Sequence, residues 1–310
     1  MSKARYKIRN WSQYNKSLIN RGDMTIWFSQ ESTQKWYSQK KTGKRGHPQK
    51  YSDSCIELIL TVKNLFRLPL RGVQGYFLGL IKLIGCSLEV PDYTRLSRRA
   101  SELEIVMKKT GKKKGHIDVV LDSTGLKIYG EGEWKTRTHG KSKRRTWRKL
   151  HIAIDPKTGE IVTTDITKAE SADCKSVKHL LDGLTEIDNV YADGAYMYKC
   201  SMDAIASIGA KPIIPVRTGT WLVEKNPSPG EKLRNEIVLE TTRLGGKAEW
   251  KKSSGYHLRS LVETQMFRLK TILGDRLSSR KFDNQKTEGK IKCSILNKMT
   301  ALGMPESYKI

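Results

Sequence analysis

Between residues 53 and 66 the apolar positions Cys55, Ile56, Ile59, Leu60, Val62 and Phe66 recur at the three- and four-residue spacing of one helix face. Ser52 or Asp53 is placed to cap its start and Pro69 to stop it. A second helix is predicted over 71–84, ended by Gly85, and a third after Asp92, where PDYTRLSRRASELEI gathers Arg95, Arg98 and Arg99. Beyond the basic linker KKTGKKKG at 108–115 the period changes, and HIDVVLDS, KLHIAID and EIVTTDI read as strands, the last two joined by a turn at PKTG. A helical stretch near 173–184, the strand NVYAD, a helix near 197–208 and the strand KPIIPV follow. Strands succeeded by alternating helices and strands predict an α/β protein with a mixed sheet covered by helices. Residues 217–254, with NPSPG and GG inside and Trp221 and Trp250 near the edges, read as an insertion. The stretch GYHLRSLVETQMFRLK at 255–270 then returns the chain to the core. On a helix its Tyr256, Arg259, Glu263 and Lys270 share an arc of roughly 60°, with Leu258, Leu261, Leu269 and Ile272 opposite and Phe267 near the polar arc.

A chain of 310 residues, 37% of them hydrophobic, buries a core of one large or two modest domains. Charge sharpens the picture: 58 Lys and Arg against 32 Asp and Glu leave +26, an excess that repels itself unless a polyanion is the partner. Nucleic acid is the partner expected, a merely soluble basic protein the alternative. Three helices with an arginine-rich last member suit a helix-turn-helix-like DNA reader, or equally a bundle with a solvated basic face. The segment 39–50 reads as a basic loop or arm. The segment 135–149 holds eight Lys and Arg, no acid and Trp147, and is expected to contact DNA as a hairpin or loop through Lys143, Arg144, Arg145 and Arg148. Trp134 and Trp147 would pack on the core or on DNA, and His139 and His151, lacking a spaced partner set, read as structural. Five scattered cysteines with no C-x-x-C pair argue against a disulfide framework or a zinc knuckle. No stretch reads as a membrane span or a signal core, and a reducing, cytoplasmic setting at the nucleoid is expected.

Three acids stand out. Asp122 lies at the end of the strand HIDVVLDS among apolar neighbours, a costly place for a carboxylate without a cation. Asp193 ends NVYAD, where α/β sheets present functional groups, and Glu263 sits on the polar arc. Together they are able to hold a divalent metal. Each also has a simpler use: Asp122 as a cap of a turn at STG, Asp193 in an Asx turn with Gly194, Glu263 as the i,i+4 partner of Arg259. Asp118 competes with Asp122, but four residues of strand separate them by about 13 Å.

The spacing Y-x2-R-x3-E-x6-K, filled by Tyr256, Arg259, Glu263 and Lys270, resembles the signature of bacterial insertion-sequence transposases of the DDE class. LDSTG at 121–125 and ADGAY at 192–196 resemble the two aspartate motifs of those proteins. The runs RNWSQYN, VPDYTRLSRRA, WKTRTHGKSKRRTWRKLHIAID and LNKMTALGMP are similar to the family called IS-Five, so the likeness spans nearly the whole chain. The resemblance implies a ribonuclease-H-like core, a five-stranded mixed sheet with acids drawn from strands one and four and a later helix. It divides the chain into an N-terminal helical DNA-binding region at 1–110, the first part of the core at 111–216, an insertion at 217–254 and a second part with the catalytic helix at 255–310. Asp122, Asp193 and Glu263 would be catalytic and would hold two Mg2+ ions, with Mn2+ able to substitute, roughly 3.5 to 4 Å apart. Tyr256, Arg259 and Lys270 would contact DNA phosphates, as would Arg95, Arg98 and Arg99 in the N-terminal region. The implied activity is cleavage of the element's terminal inverted repeats and joining of the 3′-hydroxyl ends to target DNA, by a homodimer or higher oligomer on double-stranded DNA. A transposase-derived DNA-binding regulator without chemistry and a structure-specific endonuclease on the same fold are the alternatives. For Trp221 core packing is expected, with stacking on an unpaired base the other possibility.

Overall fold

A computed structural model of the chain describes residues 6–28, 30–39, 48–107, 116–128 and 147–310. The expectations for Lys143, Arg144, Arg145, Trp134 and His139, for the linker 108–115 and for most of the arm at 39–50 lie outside the described residues. The chain divides into two compact units, residues 1–106 with 281–310 and residues 107–280.

The first unit opens with strand β1 (Tyr6–Ile8) and helices α1 (Trp11–Asn20), α2 (Met24–Trp27) and α3 (Gln30–Gln34), none of them predicted. The three expected helices follow. The Ser52 side chain accepts from the Cys55 amide and starts α4 (Asp53–Leu65), which buries Cys55, Ile56, Ile59, Leu60 and Val62. Next comes α5 (Leu70–Leu83). Asp92 then accepts from the amides of Thr94 and Arg95 at the head of α6 (Tyr93–Ala100).

The second unit is an α/β layer structure. Its sheet contains β2 (Ile117–Ile128), β3 (Trp147–Ile154), β4 (Ile161–Lys168), β5 (Ile187–Tyr191) and β6 (Lys211–Ile213) in the order β4-β3-β2-β5-β6, with β7 (Arg276–Leu277) beside β2. The pairs β2–β3 and β3–β4 are antiparallel, whereas β2–β5 and β5–β6 are parallel. Val119, Val120 and Leu121 of β2, Leu150 and Ile152 of β3 and Val190 of β5 are buried, as expected of central strands covered on both faces. A 3-10 turn (Asp173–Ser176) leads into α7 (Val177–Leu181), and α8 (Lys199–Ser207) connects β5 to β6. The region read as an insertion folds into α9 (Pro229–Arg243) and α10 (Lys247–Ser253) before α11 (Ser260–Leu273). This mixed sheet with its helices is the ribonuclease-H-like core that the resemblance implies.

From 281 onward the chain rejoins the first unit as α12 (Phe282–Leu302), which packs mainly on α4, and as β8 (Ser307–Lys309), antiparallel to β1. Among the described residues no helix is long and apolar enough to cross a membrane, and none of the five cysteines is in a disulfide.

Candidate active site

Strand register does most of the work of assembly. The parallel pairing of β2 with β5 sets Val119 against Val190 and Val120 against Tyr191, and Asp122 and Asp193 each stand two residues beyond that last pair. β2 does not end at Asp122. It runs on to Ile128 against β3, so no turn forms at STG, and what stops near Asp122 is the parallel ladder. Asp118, two pleats earlier, accepts from the Asn189 side chain at 2.7 Å instead.

Each aspartate spends one oxygen on its own backbone and turns the other outward. Asp122 Oδ1 accepts from the Ser123 amide at 2.8 Å, and Asp193 Oδ1 from the Ala195 amide at 2.8 Å, capping a 3-10 turn (Gly194–Tyr196). The third acid arrives on α11. Gly255, at φ +71° where a side chain would be strained, begins a 3-10 turn (Tyr256–Arg259) that passes directly into α11. Because of this tighter entry the buried stripe is Val262, Gln265, Met266, Leu269 and Leu273, rotated from the predicted one, and Leu261 is exposed. Glu263 therefore stands on the free side of the helix.

The guanidinium of Arg259 lies among the three acids. Its Nη1 donates to Glu263 Oε1 at 2.7 Å, its Nη2 donates to Asp122 Oδ2 at 3.1 Å, and the same nitrogen is 4.0 Å from Asp193 Oδ2. The expected i,i+4 pair with Glu263 is thus one arm of a wider contact. Side-chain exposure grades from 14% at Asp122 through 22% at Arg259 and 37% at Asp193 to 55% at Glu263, so the cluster opens to solvent on the helix side. Burial pushes the Asp122 carboxyl above the usual range; the Ser123 amide and Arg259 pull it back, and Asp193 and Glu263 push it up again. For Arg259 burial works against the charge, but Asp122, Tyr256, Glu263 and Asp193 outweigh it and raise the pKa. Burial likewise raises the Tyr256 phenol, whose ring neighbours Trp250 at 6.4 Å and lies under Lys251 Nζ at 4.9 Å.

Three carboxylate oxygens turned toward one positive group have the chemistry of a hard-cation site. As they stand the oxygens are spread over the guanidinium, and among the described residues no group of three or more His, Cys, Asp or Glu is drawn together closely enough to hold a metal ion. Lys270 is half-buried on the same helix, and Phe267, one turn beyond Glu263, is exposed.

Behind the acids lies a polar cluster that the sequence did not reveal. His151, opposite Ser123 in the β2–β3 register, is fully buried and bonded through Nε2 to Thr167 Oγ1 at 2.8 Å. Lys149 Nζ pairs with Asp173 Oδ1 at 3.0 Å and bonds the Ser171 carbonyl at 2.8 Å. Tyr196, the last residue of ADGAY, is buried beside Asp173 and Asp122, and burial raises its phenol far above the ordinary range. A histidine inside the apolar run KLHIAID was the available signal.

The predicted basic contacts divide. Arg98 is exposed on α6, and Arg95 is half-exposed with its guanidinium 5.5 Å from the Tyr51 ring. Arg99 turns inward to the Tyr51 carbonyl at 2.9 Å and to Asp53. Arg148 is half-buried and bonds the Trp147 carbonyl at 3.2 Å. Trp221 is 84% exposed, so core packing is not its fate.

A cryo-EM structure of a piggyBac transposase synaptic complex with hairpin DNA aligns over 95% of this chain and 76% of that one, at 10% identity and a TM-score of 0.39. The family described as "Transposase DDE domain" matches residues 113–298, and a second version of that domain matches 19–131. Since the first of these matches alone takes in more than half of the 310 residues, the chain belongs to the DDE transposase family.

Proposed function

We propose that this chain is an insertion-sequence transposase of the IS-Five family, with Asp122, Asp193 and Glu263 as its catalytic and metal-binding acids. It binds the terminal inverted repeats of its own element, cuts the DNA at their ends and joins the freed 3′-hydroxyls to target DNA. The observation that carries the reading is the gathering of three carboxylates, from two adjacent strands and one helix, about a single positive group. A donor set of hard oxygens fits Mg2+, or Mn2+ in its place. Two such ions, when bound, supply the lowered pKa of the attacking water or 3′-hydroxyl and the charge that stabilises the leaving oxygen.

The protein's own part is positioning. The Ser123 and Ala195 amides fix the rotamers of Asp122 and Asp193, so that in each the other oxygen faces the shared centre. Glu263 closes the set from the helix. Tyr256, Arg259 and Lys270 on the same element are assigned to phosphate oxygens of the strand being cut. No protein nucleophile takes part, because hydrolysis and strand transfer both proceed by in-line attack of an oxygen on phosphorus.

DNA binding is assigned to the N-terminal helical region through Arg95 and Arg98, with Arg99 bracing α6, and to the basic run containing Lys143, Arg144, Arg145 and Arg148. The exposure of Trp221 supports a stacking role against an unpaired base. Pairing two element ends calls for a homodimer or higher oligomer on double-stranded DNA, acting in the cytoplasm at the nucleoid.

The test is Mg2+-dependent cleavage of a labelled duplex carrying the inverted repeat that flanks the coding region, run beside Asp193→Ala and Glu263→Gln. Both variants should cut at least about a thousandfold more slowly while still binding the duplex. Strand transfer at wild-type rate in Glu263→Gln would sink the assignment. Binding without cleavage by the unaltered chain would favour the DNA-binding regulator instead.

A further inference from the structure

Arginine usually meets a carboxylate as a two-pronged fork against one partner. Arg259 does something else. Its fork is divided, Nη1 to Glu263 at 2.7 Å and Nη2 to Asp122 at 3.1 Å, with Asp193 at 4.0 Å. Its Nε is buried and has no hydrogen-bond partner among the described residues. A guanidinium serving only to fasten a helix to a sheet would satisfy itself better on one acid. What the three acids have in common is a need for positive charge, and without it their mutual repulsion in a part-buried site would be costly.

We propose that Arg259 is a placeholder cation, which neutralises the acid cluster in the free protein and is drawn off onto a DNA phosphate when Asp122, Asp193 and Glu263 take up metal. This rests on reading the cluster as the metal site. The side chain is 22% exposed and enters from a 3-10 turn at the solvent-facing end of α11, so its head is able to leave without disturbing the buried stripe of that helix. No bond is made or broken in the exchange; one ionic contact replaces another. Since Arg259 and the metal need the same oxygens, DNA and metal must each tighten the binding of the other by the same factor. The site is thereby kept from loading fully in the absence of its substrate.

The experiment is a calorimetric titration of the full chain with Mn2+ alone, with and without a short duplex. Without DNA, Arg259→Gln should bind Mn2+ about tenfold more tightly than the unaltered chain, the scale of one charge-assisted hydrogen bond. Arg259→Lys, which keeps the charge, should stay near the unaltered value. The duplex should tighten Mn2+ binding to the unaltered chain and leave Arg259→Gln unchanged. The duplex arm needs no substitution, so it stands even where Arg259→Gln folds poorly. Mn2+ held through the acids, as judged by its loss in Asp193→Asn, but no tighter in Arg259→Gln and unaffected by duplex, would overturn the placeholder role and leave the site reading standing. Mn2+ binding that is unchanged in Asp193→Asn would overturn both.

Discussion

His151 shows how a single side chain sets the chemistry of its surroundings. Burial holds its imidazole below its ordinary value, against the pull of Asp173 and Asp165 and with the push of Lys149. The unfolded chain takes up that proton near pH ~6.5, the folded chain only at lower pH, so between the two the unfolded state binds more protons and stability falls as the pH falls. His151→Asn should flatten this part of the profile: melting temperature plotted from about pH 6.5 down to 5 should slope less than in the unaltered chain. Parallel slopes would exclude His151 as a source of acid lability. The same residue marks what was readable at this scale. Asp122 and Asp193 stood out in the sequence as carboxylates closing apolar strand-like runs, and Glu263 through its place on one helix face with Tyr256, Arg259 and Lys270. The environment behind them was not legible, since the partners of His151 come from β4 and from the 3-10 turn before α7, and no local pattern joins them. Arg259 was legible as the i,i+4 partner of Glu263, but its bond to Asp122, 137 residues away, is a fact of tertiary packing.

Elements were predicted where an apolar stripe or a cap announced them. The caps at Ser52 and Asp92 work as read. The longest helix, α12, gave no such signal, because its inner face buries Asn284, Gln285, Thr287, Glu288, Lys292 and Asn297 beside its apolar residues. A polar buried face has no hydrophobic period to detect. Helix α9 was missed for another reason: NPSPG looks like a loop, yet Ser228 and Glu231 form a capping box around it. Its seat is tight. A Cβ on Gly230 would stand 2.3 Å from the Asp203 amide nitrogen, and Asp203 Oδ1 accepts from both Ser228 Oγ and the Gly230 amide. Gly230→Ala should therefore lower stability by about 2 to 3 kcal/mol, seen as a fall in melting temperature; an unchanged value would mean that α9 shifts freely on α8. On α6, Arg99→Ala should cost about 2 kcal/mol through its lost charge-assisted bonds. Arg95→Ala and Arg98→Ala should leave the melting temperature nearly unaltered, and denaturant titration of all three separates bracing from surface roles.

For the molecule as a whole, the net charge of +26 makes salt the natural probe. Affinity for duplex should fall linearly on a log–log plot against salt, and removing Arg95 and Arg98 together should reduce the slope by about 2. A slope unaffected by the double substitution would place the DNA elsewhere on the chain. The division into two units carries a further consequence. The helical unit is completed by residues 281–310, which close onto α4 and β1 across more than two hundred intervening positions. On the ribosome the sheet unit has all of its strands before the helical unit receives its last helix. The arginines of α6 therefore rest on a finished scaffold only once residues 281–310 have emerged, and a stop codon shortly after residue 280 would spare the acids while removing much of the helical unit's support.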